Sequence, residues 1–278
     1  MSIFEKGLYI VSTPIGNLED ITLRAIETLK KSDFILCEDT RHSSKLLNNL
    51  NIKNRLIPYH KFNEKKSANK IIQYLNEGKI LSLISDAGTP VLSDPGNIII
   101  SECIKNGIKI FTVPGPTAVT AAVSLSGFGD KFLFHGFLPK TENEIDKSLK
   151  KIDVEGYSLV FFVPAVKINF YLRYFKKYFS GRNIFIAREM TKKHETYYRL
   201  NINDINPFKT QLKGELTIII SQKIKKDLLM ADYVKLEKQV INYLKSYTVK
   251  DIVDLISKKE QVPKKIIYNL CIKNKKWE

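Results

Sequence analysis

Five short, largely apolar runs punctuate the first 122 residues, at 8–11, 34–37, 56–59, 80–85 and 108–113. Each is too short for a helix. Between them, near 22–31, 43–50, 67–77 and 97–106, apolar residues recur at helical spacing. A strand without a polar face must be covered on both sides, and alternating helices supply the covers. The pattern predicts an open parallel sheet with helices on both faces. Ligands in such sheets bind beyond the carboxyl ends of the strands, so function is sought in the segments that follow each strand.

Those segments are small, rigid or ionisable. After the first run comes STPIGNLED, which is neither GxGxxG nor a Walker loop, so dinucleotide and nucleoside-triphosphate fingerprints are missing. After the second comes CEDTRHSSK, which crowds Glu38, Asp39, Arg41 and His42 into five positions. One capping residue is enough to open a helix there, with the acids favouring its N-terminus. The density beyond that need points to a site. After the fourth run comes ISDAGTPVLSDPG. Asp94 before Pro95 reads as the cap of the helix at 97–106, a structural role. Asp86 instead ends a strand, and Ala-Gly-Thr-Pro after it offers backbone without side-chain bulk. The fifth segment, PGPTAVTAAVSLSG, stiffens a turn around Gly115 and reads as a helix capped by Thr117, with a face of small residues. Such loops suit a flat ligand held by backbone. A phosphate would call for a glycine nest or paired arginines.

Residues 126–140, SGFGDKFLFHGFLPK, break the alternation with three glycines and read as a domain boundary. Beyond it the pattern predicts a helix at 141–151, boxed by Thr141 and Glu144, strands at 158–163, 183–187, 196–200 and 215–221, and a helix at 166–179. From 232 onward only helices are expected, with Thr248 as one cap and Pro263 at a first turn, separated by a break at 259–262. The expected division is an N-terminal α/β domain at 1–125, a mixed-sheet α/β domain at 126–230 and a helical tail at 231–278. Eleven lysines against six acids make that tail basic. It is either a packing cap or an RNA-touching appendage.

The whole chain of 278 residues carries a net charge of +16. Nucleic acid is one reading of that charge. Only seven of the 45 basic residues are arginine, however, and the lysine excess equally fits an AT-rich coding sequence. Three widely spaced cysteines and four scattered histidines suggest neither disulfides nor a metal site. No apolar run approaches a membrane span, and the N-terminus lacks a signal-like core, so a cytoplasmic protein with no membrane partner is expected.

The segments LYIVSTPIGNLEDITLRAIETL, CEDTRHS, LISDAGTPVLSDPG, VPGPTAVTAA, GFLPK and AREMTKKHE…KGELTIII occur in this order. Together they resemble the bacterial 16S rRNA ribose 2'-O-methyltransferases of the tetrapyrrole methylase superfamily. The resemblance covers nearly the whole chain. It implies two α/β domains with S-adenosyl-L-methionine in the cleft between them, a small C-terminal helical extension, a homodimer, and 16S rRNA or the small ribosomal subunit as partner. Motif by motif, cofactor contacts would fall on Pro14, Asp86, Gly88, Thr89, Leu92, Thr117, Ala118, Phe162, Met190 and Thr217. One departure stands out. The aromatic-Glu-Ser-x-His-Arg run usual after the strand at 158–163 is here FFVPAVKI, with Lys167 near the arginine position.

The implied reaction is attack of a ribose 2'-hydroxyl, on a decoding-centre cytidine, at the cofactor's methyl group. That hydroxyl is a poor nucleophile and benefits from a base. Asp39 and Glu38 are the first candidates and Asp86 the second. Arg41 would bind phosphate or orient a carboxylate. Arg24, His42, Arg188, Lys192 and His194 are the expected RNA contacts, with Glu189 and Lys193 nearby. Two other readings remain open: a precorrin-type methyltransferase of the same superfamily, whose usual Gly-x-Gly-Pro-Gly-Asp loop is replaced here by TPIGNL, and a non-catalytic ribosome assembly factor. A dinucleotide-dependent dehydrogenase would need the missing glycine fingerprint.

Overall fold

The computed structural model describes residues 4–152, 156–223, 230–260 and 262–275. The chain divides into two compact units, Met1–Lys223 and Ile224–Glu278.

The larger unit begins with β1 (Gly7–Val11), α1 (Leu23–Lys31), β2 (Phe34–Cys37), α2 (Thr40–Asn49), β3 (Arg55–Pro58), α3 (Glu64–Asn76), β4 (Ile80–Leu83), α4 (Asn97–Lys105), β5 (Ile110–Val113) and α5 (Ala118–Ser126). All pairings among these strands are parallel, in the order β3-β2-β4-β1-β5. Cys37 lies opposite Pro58, Leu83 opposite Leu36 and Ile10, and Val11 opposite Val113. The five carboxyl ends therefore share one edge. Alternate residues go to opposite faces. Tyr9, Val11, Ile35 and Cys37 pack with Ala25, Leu29 and Leu47 from α1 and α2. Leu8, Leu36, Leu81 and Leu83 pack with Ile71, Leu75, Ile99 and Cys103 from α3 and α4. Two apolar faces, each covered by helices, are what the short strands required.

The second sheet is built from β6 (Phe132–Phe137), β7 (Ser158–Pro164), β8 (Asn183–Arg188), β9 (Thr196–Asn201) and β10 (Glu215–Ile220), ordered β6-β7-β10-β8-β9. Only the β6–β7 pairing is parallel; the others are antiparallel. One face is covered by α6 (Glu142–Lys151) and α7 (Ile168–Tyr178), whose Ile145, Leu149, Leu172 and Phe175 meet Phe161, Ile186 and Ile218. On the other face, Val119 and Ala122 of α5 pack against Val160, Phe185 and Ile219. The small residues of α5 thus let a helix of the first half seat closely on the second sheet.

β6 corrects the reading of 126–140 as a bare boundary. The glycine that seemed to break the pattern, Gly136, sits at a register shift between Phe134 and Gly136 with φ 77°. It is a bulge inside a strand.

In the smaller unit, α8 (Met230–Tyr243), α9 (Val249–Glu260) and α10 (Lys264–Asn274) close around Leu236, Val240, Ile252, Ile256, Ile267 and Leu270. Thr248 accepts a bond from the Asp251 backbone N–H (3.3 Å) and donates one to the Asp251 carboxylate (2.6 Å), which caps α9. Pro263 takes the cap position of α10. The expected break at 259–262 includes Gln261, which lies outside the described residues. Among the described residues no helix is long and apolar enough to cross a membrane.

Candidate functional site

The loops at the carboxyl edge of the first sheet are laced to one another. Thr13 and Gly88 exchange backbone hydrogen bonds of 2.9 and 3.0 Å. The hydroxyls of Ser12 and Thr89 lie 2.8 Å apart, and Thr89 also donates to the Pro116 carbonyl at 3.2 Å. The ends of β1, β4 and β5 thus form one rigid rim.

Facing this rim is the middle of the second sheet. Phe162 on β7, Thr217 on β10 and Ala187 on β8 stand in register on three adjacent strands. Between rim and sheet lies a cavity of about 380 Å³, a size suited to a small molecule. Asp86, Ala87, Gly88, Thr89, Leu92 and Asp94 line one wall, the Phe162–Thr217–Ala187 row lies on the sheet side, and Glu189, Met190, Lys192 and Gly214 close the far wall.

Nine of the ten expected cofactor positions line this space: Asp86, Gly88, Thr89, Leu92, Thr117, Ala118, Phe162, Met190 and Thr217. Pro14 is the exception. It is buried, and the neighbouring Ile15 reaches the cavity instead. Thr117 holds the cap position of α5 but makes no capping bond with its side chain, which lines the cavity.

Asp94 corrects the sequence reading more deeply. It does not cap α4. Gly96 takes that position with φ 141°, and its N–H is bonded by the buried Glu64 carboxylate from α3 at 2.8 Å. The Tyr59 hydroxyl accepts from Ile99 N–H at 3.1 Å. With two orphan donors of the helix satisfied from a distance, Asp94 is left to line the cavity.

Its environment is acidic. Burial first, then the negative charge of Glu38, raises the Asp94 carboxyl to about 6, with Asp86 and Glu215 adding to the rise against a hydrogen bond from Ser85. Glu38, also in the cavity wall, is pushed up by burial and by Asp86, with His60 opposing. Three carboxylates, Glu38, Asp86 and Asp94, therefore bias the cavity toward a cation.

Asp39 and Glu38, adjacent in sequence, take opposite roles. Asp39 caps α2. Its Oδ1 accepts from the Arg41 backbone N–H (2.8 Å) and Nε (3.2 Å), and Oδ2 accepts from Nη2 (2.9 Å). The Arg41 guanidinium and backbone bonds hold this carboxyl far below the usual range. Saturated with donors and absent from the cavity lining, it is a poor proton acceptor, whereas Glu38 faces the cavity.

On the far wall, Glu189 accepts from Lys192 Nζ and from the Glu215 N–H, both at 3.0 Å. Burial would raise its pKa, but these bonds outweigh burial and lower it. Gly16 passes so close to this wall that a Cβ there would sit 2.8 Å from Thr191 Oγ1, and one on Gly136 would sit 2.7 Å from Ser93 Oγ. Val91 (φ 77°), Ser93 (71°), Glu189 (51°) and Thr191 (65°) hold left-handed backbone on the two facing loops. Such geometry costs about 1–3 kcal/mol per residue and persists only where the surroundings enforce it.

Of the expected RNA contacts, only Lys192 lines the cavity. Arg24 donates to the Thr112 carbonyl (3.1 Å) and Arg188 to the Lys213 carbonyl (3.1 Å), while His42 and His194 are exposed. Ser93, Phe137 and Gly214 are lining residues that the sequence reading missed. Phe137 and Gly214 belong to, or adjoin, strands of the second sheet whose register no local pattern reveals.

Residues 7–206 match the family model described as Tetrapyrrole (Corrin/Porphyrin) Methylases. The chain is 46% identical, over 78% of its length and 98% of the relative's, to a Thermotoga maritima protein named ribosomal RNA small subunit methyltransferase I. It is 40% identical to the Rickettsia prowazekii protein of that name, over 98% and 99% of the two chains. Among solved structures it resembles a uroporphyrin-III C-methyltransferase from Thermus thermophilus complexed with S-adenosylhomocysteine, with a TM-score of 0.56 at 14% identity, over 77% of this chain and 97% of that one. It also resembles the methyltransferase CobJ, with a TM-score of 0.60 at 17% identity, over 78% and 94% of the two chains. At these identities the structural likeness speaks for the fold.

Proposed function

This chain belongs to the tetrapyrrole methylase family, and from that premise we propose that it transfers a methyl group from S-adenosyl-L-methionine to a ribose 2'-hydroxyl of a cytidine in the decoding region of 16S rRNA. The observation that carries the reading is the cavity itself: nine positions chosen from sequence motifs converge on one space of about 380 Å³, beside a carboxylate free to accept a proton. The residues fit the cofactor. Gly88 and its neighbours offer backbone to a polar ligand, Phe162, Ala118 and Met190 offer apolar surface, and Glu38, Asp86 and Asp94 favour a sulfonium cation.

When bound, S-adenosylmethionine supplies a methyl group on a positively charged sulfur, and no protein nucleophile is needed. The protein aligns the two partners and excludes water. The rigid rim of Thr13, Gly88 and Thr89 fixes one side and the Phe162–Thr217–Ala187 row the other. Glu38, its pKa raised and its carboxylate at the cavity wall, takes the proton of the incoming hydroxyl. Asp86 donates nothing; its Oδ1 accepts from the Asp39 N–H at 3.3 Å, which holds the loop bearing Glu38 in place. Lys192, fixed by Glu189, screens the far wall. The usual aromatic-Glu-Ser-x-His-Arg segment is replaced by Phe162–Val163–Pro164 in the lining, so in this chain acid–base work rests on the first domain.

This reading places the protein in the cytoplasm, as a homodimer, with 1–125 and 126–230 as the two jaws and 231–278 as a separate tail. The test is to incubate purified protein with radiolabelled cofactor and small ribosomal subunits lacking ribose methylation, then map the label. Label at a decoding-region 2'-O position is expected. Label only on precorrin-type tetrapyrroles, or cofactor binding without transfer to any RNA, refutes it.

A further inference from the structure

Phe62 is the most exposed large apolar side chain among the described residues, at 94%. Leaving a phenyl ring in water forfeits the gain that burial would bring, and this ring is held there by a well-bonded turn. Asn63 Oδ1 accepts from His60 N–H (2.8 Å), Asn63 Nδ2 donates to the Pro58 carbonyl (3.0 Å), and the following Glu64 is anchored in the core on Gly96. The turn follows β3 at the functional edge, where Tyr59 N–H bonds the Cys37 carbonyl (2.7 Å) one residue before Glu38. The Phe62 ring lies 6.2 Å from that of His60, whose charge bears on Glu38.

The segment that carries the ring is rich in lysine. Lys61 on the same turn, Lys65 and Lys66 in the first turn of α3, and His42 and Lys45 on α2, are exposed. None of these four lysines has an ion-pair partner among the described residues, and the one acid of the segment, Glu64, points into the core. Two copies of such a patch repel, which argues against a self-contact. A displayed aromatic ring in a segment of exposed lysines suits unpaired RNA, whose bases stack and whose phosphates need neutralising.

We propose that Phe62 is a stacking platform for an unpaired base of the RNA substrate, beside the nucleotide whose ribose enters the cleft, with Lys61, Lys65 and Lys66 holding the flanking phosphates. The inference rests on the reading that the substrate is RNA.

The test uses the full-length protein with a labelled RNA oligonucleotide of decoding-region sequence, and with small subunits. Phe62→Leu should weaken RNA binding roughly five- to 150-fold and raise KM for subunits more than it lowers kcat. Phe62→Trp should bind within about threefold of wild type, since its ring stacks too. An abasic nucleotide at the stacked position should weaken wild type by the same factor and cost Phe62→Leu nothing more. Cofactor affinity and melting temperature should not change, because the side chain packs on so little. Equal RNA binding by wild type and Phe62→Leu overturns the platform, as does loss with Phe62→Trp equal to that with Leu, or a changed oligomeric state in Phe62→Leu. Methylation of subunits by wild type and by Phe62→Leu with the same kcat/KM removes the platform and leaves the proposed function standing. RNA binding that depends on Phe62, without methyl transfer, does the reverse. No binding of wild type to either RNA removes both.

Discussion

Replacing Asp94 by asparagine should stabilise the ligand-free protein at neutral pH and leave it unchanged in acid. Burial and the neighbouring charges of Glu38 and Asp86 raise this carboxyl from the ordinary 3.8 to about 6. As pH rises, the unfolded chain releases the proton first, near 4, while the folded chain keeps it to about 6. Across that window the unfolded state carries fewer protons, so stability falls with rising pH and the loss persists above it. At 1.36 kcal/mol per pH unit, the ceiling is about 3 kcal/mol. The carboxylate is partly open to the cavity, and solvent screening reduces the effect to about 1–2 kcal/mol. Urea titrations of wild type and Asp94→Asn from pH 4 to 8, followed by near-UV circular dichroism, measure it directly. The two proteins should coincide near pH 4 and diverge between 4 and 6, the variant staying more stable. A difference that is flat with pH would mean that Asp94 is not held against its charge, and the acidic wall would lose its meaning.

The same wall predicts a ligand effect: S-adenosylmethionine should bind more tightly as pH rises through about 6, while S-adenosylhomocysteine, whose sulfur is uncharged, should not follow, and calorimetry of both ligands decides it. Glu38→Gln should lower kcat by about 10²–10⁴ at saturating cofactor, whereas Asp39→Asn should affect mainly α2; similar losses of kcat in the two variants would contradict the division of roles. Glu64→Ala should destabilise the fold by about 1–3 kcal/mol by leaving the buried Gly96 N–H unpaired, and Glu64→Gln, which keeps an acceptor, should lose less in thermal melts. Gly214→Ala puts a methyl group into the Glu189 carboxylate at a φ of 93°. It should weaken cofactor binding by releasing Lys192, which titration calorimetry would register.

The first sheet was legible because its signal is local. Runs such as FILC and ILSL, separated by amphipathic helices, leave one solution, and the motif loops at their ends converge as expected. The second sheet was less legible. β6 was hidden because Gly136 looked like a terminator and is a bulge, and a bulge is defined by its partner strand, here β7. Pro14 and Ile15 were exchanged for a similar reason: which of two adjacent loop residues faces a ligand depends on the cross-loop bonds between Thr13 and Gly88.

The aspartates show most clearly where local reading stops. Asp39 and Asp94 both stand before helices, and sequence rules favour a cap at each. One is a cap and the other is not, and the difference lies in Glu64, a residue some thirty positions away that satisfies the α4 N-terminus in Asp94's place. Two consequences follow from that one long-range bond. Asp94 is free to join Glu38 and Asp86 around the cavity, where the charge of Glu38 helps hold the Asp94 proton on. In α2 the reverse holds: because Asp39 caps the helix and binds Arg41, its neighbour Glu38 is the acid that lines the cavity. The chemistry of this site is therefore set by which carboxylates the fold leaves uncapped, and a single substitution at Glu64 should be felt at Asp94 before it is felt anywhere else in the cleft.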